Sequence, residues 1–254
     1  MQAKISGASI TFPRIVLIGR GRLGTALATA LGDRGIRVIG PLTRNDSLPE
    51  LTPADVVLLT VPDDAIAAVA ATIPLGPLVG HCSGALTLDV LGRHEGFSVH
   101  PLLSVTDTGT RFEGAACAIA ARSKHGLMTA FSIATQLGME PIEVPDSARP
   151  QYHAAASVAS NYLVTLEDAA EQLASSTGIE RRHLARLAQS ALDNWTQLGG
   201  PSALTGPIVR GDEATVQRQR AAIEGTAPHL LPFWDAMADA TRALARRKIA
   251  EATR

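Results

Sequence analysis

Gly19-Arg20-Gly21-Arg22-Leu23-Gly24 sets three glycines at the spacing G-x-G-x-x-G. The run follows the apolar residues 15–18. It opens a segment in which Leu23, Ala26, Leu27, Ala30 and Leu31 recur at helical spacing, so a strand, a turn and a helix are predicted in that order. In such a turn each glycine meets a separate steric demand. The first makes the bend, the second lets a pyrophosphate approach the backbone, and the third lets helix and strand close on each other. The unpaired N–H groups and the dipole of the new helix offer the positive end that an anion needs. Gly19, Arg20, Gly21, Arg22, Leu23 and Gly24 are therefore expected to hold a dinucleotide, against the alternative of a purely structural glycine turn.

The second strand selects the dinucleotide. A site for NAD places an acidic residue about 20 residues past the glycines, to hold the ribose 2′-hydroxyl. Here that count reaches Arg44, flanked by Thr43 and Asn45. A guanidinium pairs with a 2′-phosphate, so NADP is expected ahead of NAD, with Thr43 and Asn45 as further donors. Asp46 leaves room for NAD, and a solvated Arg44 is the bland reading.

Hydride transfer also needs a proton donor, and histidine is the natural one near neutral pH. His81 and Ser83 end one predicted strand and His100 ends the next, where ligands bind in sheets of this kind. His81 is expected beside the nicotinamide. Cys82 between them points to the opposite face by strand alternation, so no metal is expected. His153, Ser157, Ser160 and Asn161 follow at i, i+4, i+7 and i+8, which puts them on one face of a helix predicted over residues 152–176. That stripe stays uncharged until Glu167, as a protein-lined cleft would. His153 is the favoured proton donor and His100 the other candidate, with Asn161 and Ser83 beside them and Ser157 orienting the substrate. A histidine satisfied by a backbone carbonyl competes with this reading. Arg210 could hold a substrate carboxylate or form a structural ion pair, and Asp212 fits a helix N-cap.

These residues need elements to carry them. Residues 14–144 alternate short apolar strands (15–18, 37–39, 55–61, 78–82, 97–100, 117–120 and 140–144) with helical patterns, as a parallel sheet covered on both faces requires. Asp63 or Asp64 is expected to cap the helix that runs to Ala71. After Pro150 the strand signal stops, and helices are predicted over 152–176, 180–198, 212–224 and 228–251. Two domains follow, 1–147 and 148–254, with the boundary near 145–150.

The chain has 254 residues, with 23 basic against 24 acidic side chains. That balance argues against a nucleic-acid partner, and the cluster Arg242, Arg246, Arg247 and Lys248 reads as a solvated face. No apolar run reaches the roughly 18 residues of a membrane helix, and the first thirteen residues lack an apolar signal core. Two cysteines 35 residues apart read as reduced thiols, so a cytoplasmic protein is expected. Aromatics are only 4%, which leaves Ala, Val, Leu and Ile to build the core. Leu230, Leu231, Phe233, Trp234, Met237 and Leu244 exceed what one small helical layer buries, so a homodimer through the C-terminal helices is expected.

The N-terminal half resembles the pyrroline-carboxylate reductase and ketopantoate reductase class of Rossmann domains, of which Val61-Pro62-Asp63 after the third strand is typical. His81-Cys82-Ser83-Gly84-Ala85-Leu86, His100-Pro101-Leu102, Tyr152-His153-Ala154-Ala155 and Leu204-Thr205-Gly206-Pro207-Ile208-Val209-Arg210-Gly211-Asp212 resemble a family of predicted oxidoreductases. The C-terminal half of that family is a domain of unknown function, similar to the helical C-terminal domain of 6-phosphogluconate dehydrogenase. The resemblance runs from residue 14 to about residue 231. It implies an α/β fold, an N-terminal Rossmann doubly wound, mostly parallel sheet plus an all-α C-terminal domain, with Val61 and Pro62 added to the cofactor contacts. It implies an NADP-dependent oxidoreductase acting on a small carbonyl, imine or alcohol between the domains, and names no substrate. The hydroxyacid dehydrogenase relatives use a lysine on the first C-terminal helix, and residues 152–171 contain none. That absence favours the competing class, a non-catalytic NADP-binding redox sensor or partner-binding module.

Overall fold

The computed structural model describes residues 13–106 and 109–252, the side chains of 248–252 excepted. The expectation for the first thirteen residues, up to Phe12, and the side chain of Lys248 lie outside them. The strands are β1 (Ile15–Ile18), β2 (Val38–Leu42), β3 (Val56–Leu59), β4 (Leu78–His81), β5 (Gly96–Pro101), β6 (Ala116–Ala121) and β7 (Glu140–Glu143). They form one sheet in the order β2-β1-β3-β4-β5-β6-β7. Every neighbouring pair is parallel except β5 with β6. This is the doubly wound, mostly parallel α/β sheet expected from the alternation of apolar runs and helices.

Alternation along the strands divides the core in two. Ile15 and Leu17 of β1 join Leu27, Leu31, Phe97 and Ile133 on one face; Val16 and Ile18 join Ile66, Val79 and Leu91 on the other. Helices α1 (Arg22–Asp33) and α3 (Lys124–Gln136) cover the first face, and α2 (Asp63–Thr72) covers the second. With few aromatics available, Phe97 and Phe112 are the buried phenylalanines among the described residues, set among aliphatic side chains. The sheet order reverses between β1 and β3. Diverging connections open a crevice at their carboxyl ends, where ligands bind in such sheets.

The chain divides into two compact units, Met1–Ser157 and Val158–Arg254. The first also holds α4 (Arg149–Ser157). The second holds a π-turn (Val158–Tyr162), α5 (Leu163–Ala174), α6 (Arg181–Leu198), α7 (Gly200–Ala203), α8 (Glu213–Thr226) and α9 (Leu231–Ala252). Within it, Arg220 grips Asp235 with two bonds of 2.9 Å, and Arg242 pairs with Glu213 at 2.9 Å. Arg242 is thus tied down rather than merely solvated. Asp212 caps α8 as expected, accepting from Thr215 N at 3.0 Å. Of the apolar residues expected to mark a partner surface on α9, Leu230, Leu231, Trp234 and Leu244 are partly buried, and only Phe233 and Met237 are exposed. In the second unit, α5 and α6 also expose large apolar side chains, among them Val164, Leu187, Trp195 and Leu198. None of the 18 residues of α6 is buried. Among the described residues, no helix is long and apolar enough to cross a membrane.

Candidate active site

At the crevice beside β1, a cavity of about 1260 Å³ is lined by Gly19, Arg20, Gly21, Arg22 and Leu23, by Thr43 and Arg44, and by Val61 and Pro62. The third glycine of the motif, Gly24, is not among its lining. Gly24 is buried, and a Cβ there would stand 1.9 Å from Gly19 O and 2.6 Å from Thr60 Oγ1. Gly19 has φ 120°, and a Cβ on it would lie 2.5 Å from the Thr60 carbonyl carbon. Gly21 differs from both. A Cβ there would meet nothing within 4 Å, so its missing side chain leaves open space at the N-terminus of α1. No side chain caps that terminus, whose N–H groups therefore face the cavity unpaired by any cap. A pyrophosphate fits such a cradle, and the residues present match a dinucleotide.

Thr60, which also lines the cavity, was not singled out by spacing. Thr60 donates to Gly19 O at 2.9 Å and Ile18 O at 3.2 Å, clamping the glycine turn onto β3. Arg20 Nε donates to Pro41 O at 3.2 Å, and Arg22 Nη1 donates to Val105 O at 3.3 Å. Thr43, expected as a donor to the cofactor, spends both its N–H and its hydroxyl on Asp46 Oδ2 at 2.7 Å. Those bonds hold the Asp46 carboxyl below its usual range. Arg44 is exposed at the cavity wall.

A second cluster sits at the carboxyl ends of β4 and β5. His100 Nδ1 and the Tyr152 hydroxyl are 2.6 Å apart, with the rings edge to face at 88°. Burial first, then the nearby Arg149 charge, pushes His100 down to about 4, while burial pushes Tyr152 up to about 12. Gly84 lies against the other edge of the imidazole. A Cβ there would be 2.8 Å from His100 Cε1 and Nε2, and 3.0 Å from His153 Cδ2. The structure thus brings the two expected proton carriers, His100 and His153, over one glycine. His153 itself is exposed.

Arg149 underlies the cluster and is fully buried. It donates to Ser83 O at 3.0 Å and to Ser98 Oγ, and stands 3.4 Å from Asp146. Asp146 in turn accepts from Leu88 N at 3.0 Å. Sequence spacing overlooked Arg149, because its partners lie in distant strands and loops. A partial cue was its place three residues before Tyr152, on the same helix face.

His81 is fully buried, accepts from Ser83 N at 3.2 Å, and is absent from the cavity lining. Burial and Arg149 push it down to about 4. The Ser83 hydroxyl donates to Asp63 Oδ2 at 2.7 Å and accepts from Leu86 N at 3.0 Å, which organises the loop. Asp63 therefore does not cap α2, whose N-cap is Pro62. Cys82 and Cys117 are buried free thiols, and burial raises both.

The polar stripe expected along residues 153–161 is broken. The π-turn over Val158–Tyr162 departs from the 3.6-residue repeat, so the face carrying His153 and Ser157 does not continue in α-helical register to Ser160 and Asn161. Ser157 closes α4, while Asn161 falls in the second unit. Arg210, also in the second unit, is exposed in the turn before α8.

None of the curated proteins matches the chain. Among solved structures, a candidate NADP oxidoreductase from Bacteroides fragilis is similar, with TM-score 0.79, 21% identity, and coverage of 92% of this chain and 100% of that one. A protein from Thermotoga maritima gives TM-score 0.71 at 22% identity, covering 92% of this chain and 99% of its own. A reductive aminase from Aspergillus terreus, solved with NADPH and ethyl-5-oxohexanoate, gives TM-score 0.61 at 17% identity, with 95% of each chain covered. At these identities the likeness establishes the fold. The family model described as Domain of unknown function (DUF2520) matches residues 115–241, half of the sequence, and this chain belongs to that family.

Proposed function

We propose that this chain is an NADP-dependent oxidoreductase that moves hydride between nicotinamide and a small carbonyl, imine or alcohol. The open space at Gly21 carries the reading. It joins an uncapped helix N-terminus to a cavity at the point where the sheet order reverses. Bound there, the dinucleotide supplies the hydride chemistry. Gly19 and Gly21 would take its pyrophosphate, Arg44 a 2′-phosphate, and Val61 and Pro62 would border it on the β3 side. His100 and His153 would handle the proton, at the carboxyl edge of the same sheet. The similar solved structures support the reading, since the Aspergillus terreus enzyme holds NADPH on this fold. NAD stays in competition through Asp46, which faces the same cavity.

Calorimetric titration with NADPH and NADH tests this directly. The unmodified chain is expected to bind NADPH more tightly. Arg44→Ala should weaken NADPH about tenfold or more and change NADH little, as loss of a charge-assisted phosphate contact does. Binding of neither nucleotide overturns the proposal. Equal losses for both remove Arg44 from the 2′-phosphate. The redox-sensor alternative rests on the absence of a lysine from residues 152–171. NADPH binding without turnover of any ketone, keto acid, aldehyde or imine would favour it.

A further inference from the structure

We infer that the Tyr152 hydroxyl is the group that exchanges a proton with the substrate, and that His100, hydrogen-bonded to it through Nδ1, replenishes it. This rests on the oxidoreductase reading and adds a catalytic residue to it. Three observations place the roles. At 2.6 Å the His100–Tyr152 contact is short enough for direct proton passage along it. The opposite edge of His100, with Cε1 and Nε2, packs against buried Gly84, where a Cβ would stand 2.8 Å from both atoms, and His153 packs on the same glycine. Arg149 is locked beneath by Ser83 O, Ser98 and Asp146. An immobile cation there disfavours a second positive charge on His100.

The groups acting on His100 are Arg149, Tyr152 and His153 on α4 and Asp63 on α2, while its own backbone acts on the Cys117 thiol on β6. Burial and Arg149 outweigh Asp63, so the imidazole carries a single proton at neutral pH. Placed on Nδ1, that proton is donated to Tyr152 Oη and turns the phenolic O–H outward, toward substrate. In the reductive direction a bound dinucleotide would supply the hydride to the substrate carbon and would itself be oxidised. The former π pair becomes a lone pair on oxygen or nitrogen. Tyr152 Oη–H breaks to protonate that atom, Nδ1–H passes to the phenolate oxygen, and Nε2 takes up from bulk solvent the one proton that the reduction consumes. One hydride and one proton are added to the substrate, and His100 ends neutral with its proton on the other nitrogen. Tautomer exchange through solvent resets it.

The test uses the full chain with NADPH and a panel of small ketones, keto acids, aldehydes and imines. Tyr152→Phe keeps the ring and removes the hydroxyl. Gly84→Ala crowds the imidazole and leaves Tyr152 in place. Both are expected to lower kcat, Tyr152→Phe by about 100-fold or more, as loss of a general acid does, with KM and the NADPH dissociation constant within about threefold. A second readout needs no substrate: nitrogen-15 spectra of the histidine rings at neutral pH should show His100 protonated at Nδ1, with that signal altered in Tyr152→Phe. Wild-type kcat in Tyr152→Phe overturns the proposal. So does an unprotonated Nδ1, or an NADPH-binding wild type that turns over nothing in the panel. Failure to bind NADPH overturns the oxidoreductase reading itself, and calorimetry separates that outcome from the others.

Discussion

The Ser83 hydroxyl donates to Asp63 Oδ2 at 2.7 Å across 20 residues of sequence, tying the loop after β4 to the start of α2. Pro62, the neighbour of Asp63, lines the cavity at the glycine turn, and Gly84, the neighbour of Ser83, packs against His100. One hydrogen bond therefore joins the cavity to the histidine cluster. Ser83→Ala removes that bond and leaves the N–H groups of Ala85 and Leu86 without their acceptor. Asp63 is exposed and can turn to water, so the expected loss is about 1 kcal/mol. Urea unfolding measures it, and an unchanged midpoint would show that the bond contributes nothing.

The glycines of the turn divide by what surrounds them. Gly21→Ala adds a Cβ into open space, so the chain should fold with an unchanged melting temperature. The same methyl occupies the place where a pyrophosphate would meet the backbone, and NADPH affinity should fall about tenfold or more. Gly24→Ala is the reverse case. Its Cβ would lie 1.9 Å from a backbone oxygen, which forces α1 off β1 and costs about 2 kcal/mol or more. Thermal unfolding and calorimetry on both variants check the pair. Full NADPH affinity in Gly21→Ala would move the phosphates away from this turn.

The strands could be read from sequence because each of β1, β3 and β4 is four residues long and buried throughout. A strand covered on both faces carries a polar residue only where a partner or a strand end accommodates it, as at His81, so the apolar run is its signature. The glycine turn was legible for a similar reason, since its constraints fall within six consecutive residues. Arg149 was not. Its partners Ser98 and Ser83 lie 51 and 66 residues away, and Asp146, three residues before it, reads equally as one half of a surface pair. The π-turn was equally hidden, because the side chains over residues 158–162 suit an α-helix as well. His81 was misjudged by the strand-end rule. Its place at a carboxyl end was right, but the loop from Ser83 to Leu86 folds its own polar groups inward and the ring is sealed off.

One buried histidine, His81, and one partly buried, His100, make stability depend on pH. His81 and His100 titrate at about 4 in the fold, against 6.5 for an unhindered histidine. Between those values the unfolded chain binds protons that the native chain does not, so stability is complete above pH 6.5 and falls as pH drops toward 4. Each group contributes a slope of up to about 1.4 kcal/mol per pH unit within that window. Asp55, bonded by Arg14 and held at about 2, adds a further loss only as pH falls from 3.8 through 2. Urea midpoints measured from pH 7.5 to 4.5 should decline, and His100→Asn should roughly halve the slope. A flat profile would mean that the imidazoles are not buried neutral.

Helix α6 predicts an assembly. Leu187, Trp195 and Leu198 are 68%, 58% and 57% exposed, and Leu192 is 44% exposed. Leu187, Trp195 and Leu198 stand at i, i+8 and i+11, so together with Ala191 they form one apolar ridge. Val164 and Tyr162 are 69% and 63% exposed on the elements preceding α6. A ridge of leucine and tryptophan left in water costs about 1.5 to 3 kcal/mol per large side chain relative to burial, which a second copy of the same helix can recover. Light scattering at micromolar concentration should therefore give twice 26.5 kDa. Leu187→Glu combined with Trp195→Glu places charges on the ridge and should yield the single-chain mass with helical content retained. Neither side chain is buried in the chain itself, so the fold has no reason to fail. A single-chain mass for the unmodified protein would overturn the homodimer, and a dimer that survives both substitutions would move its interface to Phe233 and Met237 on α9.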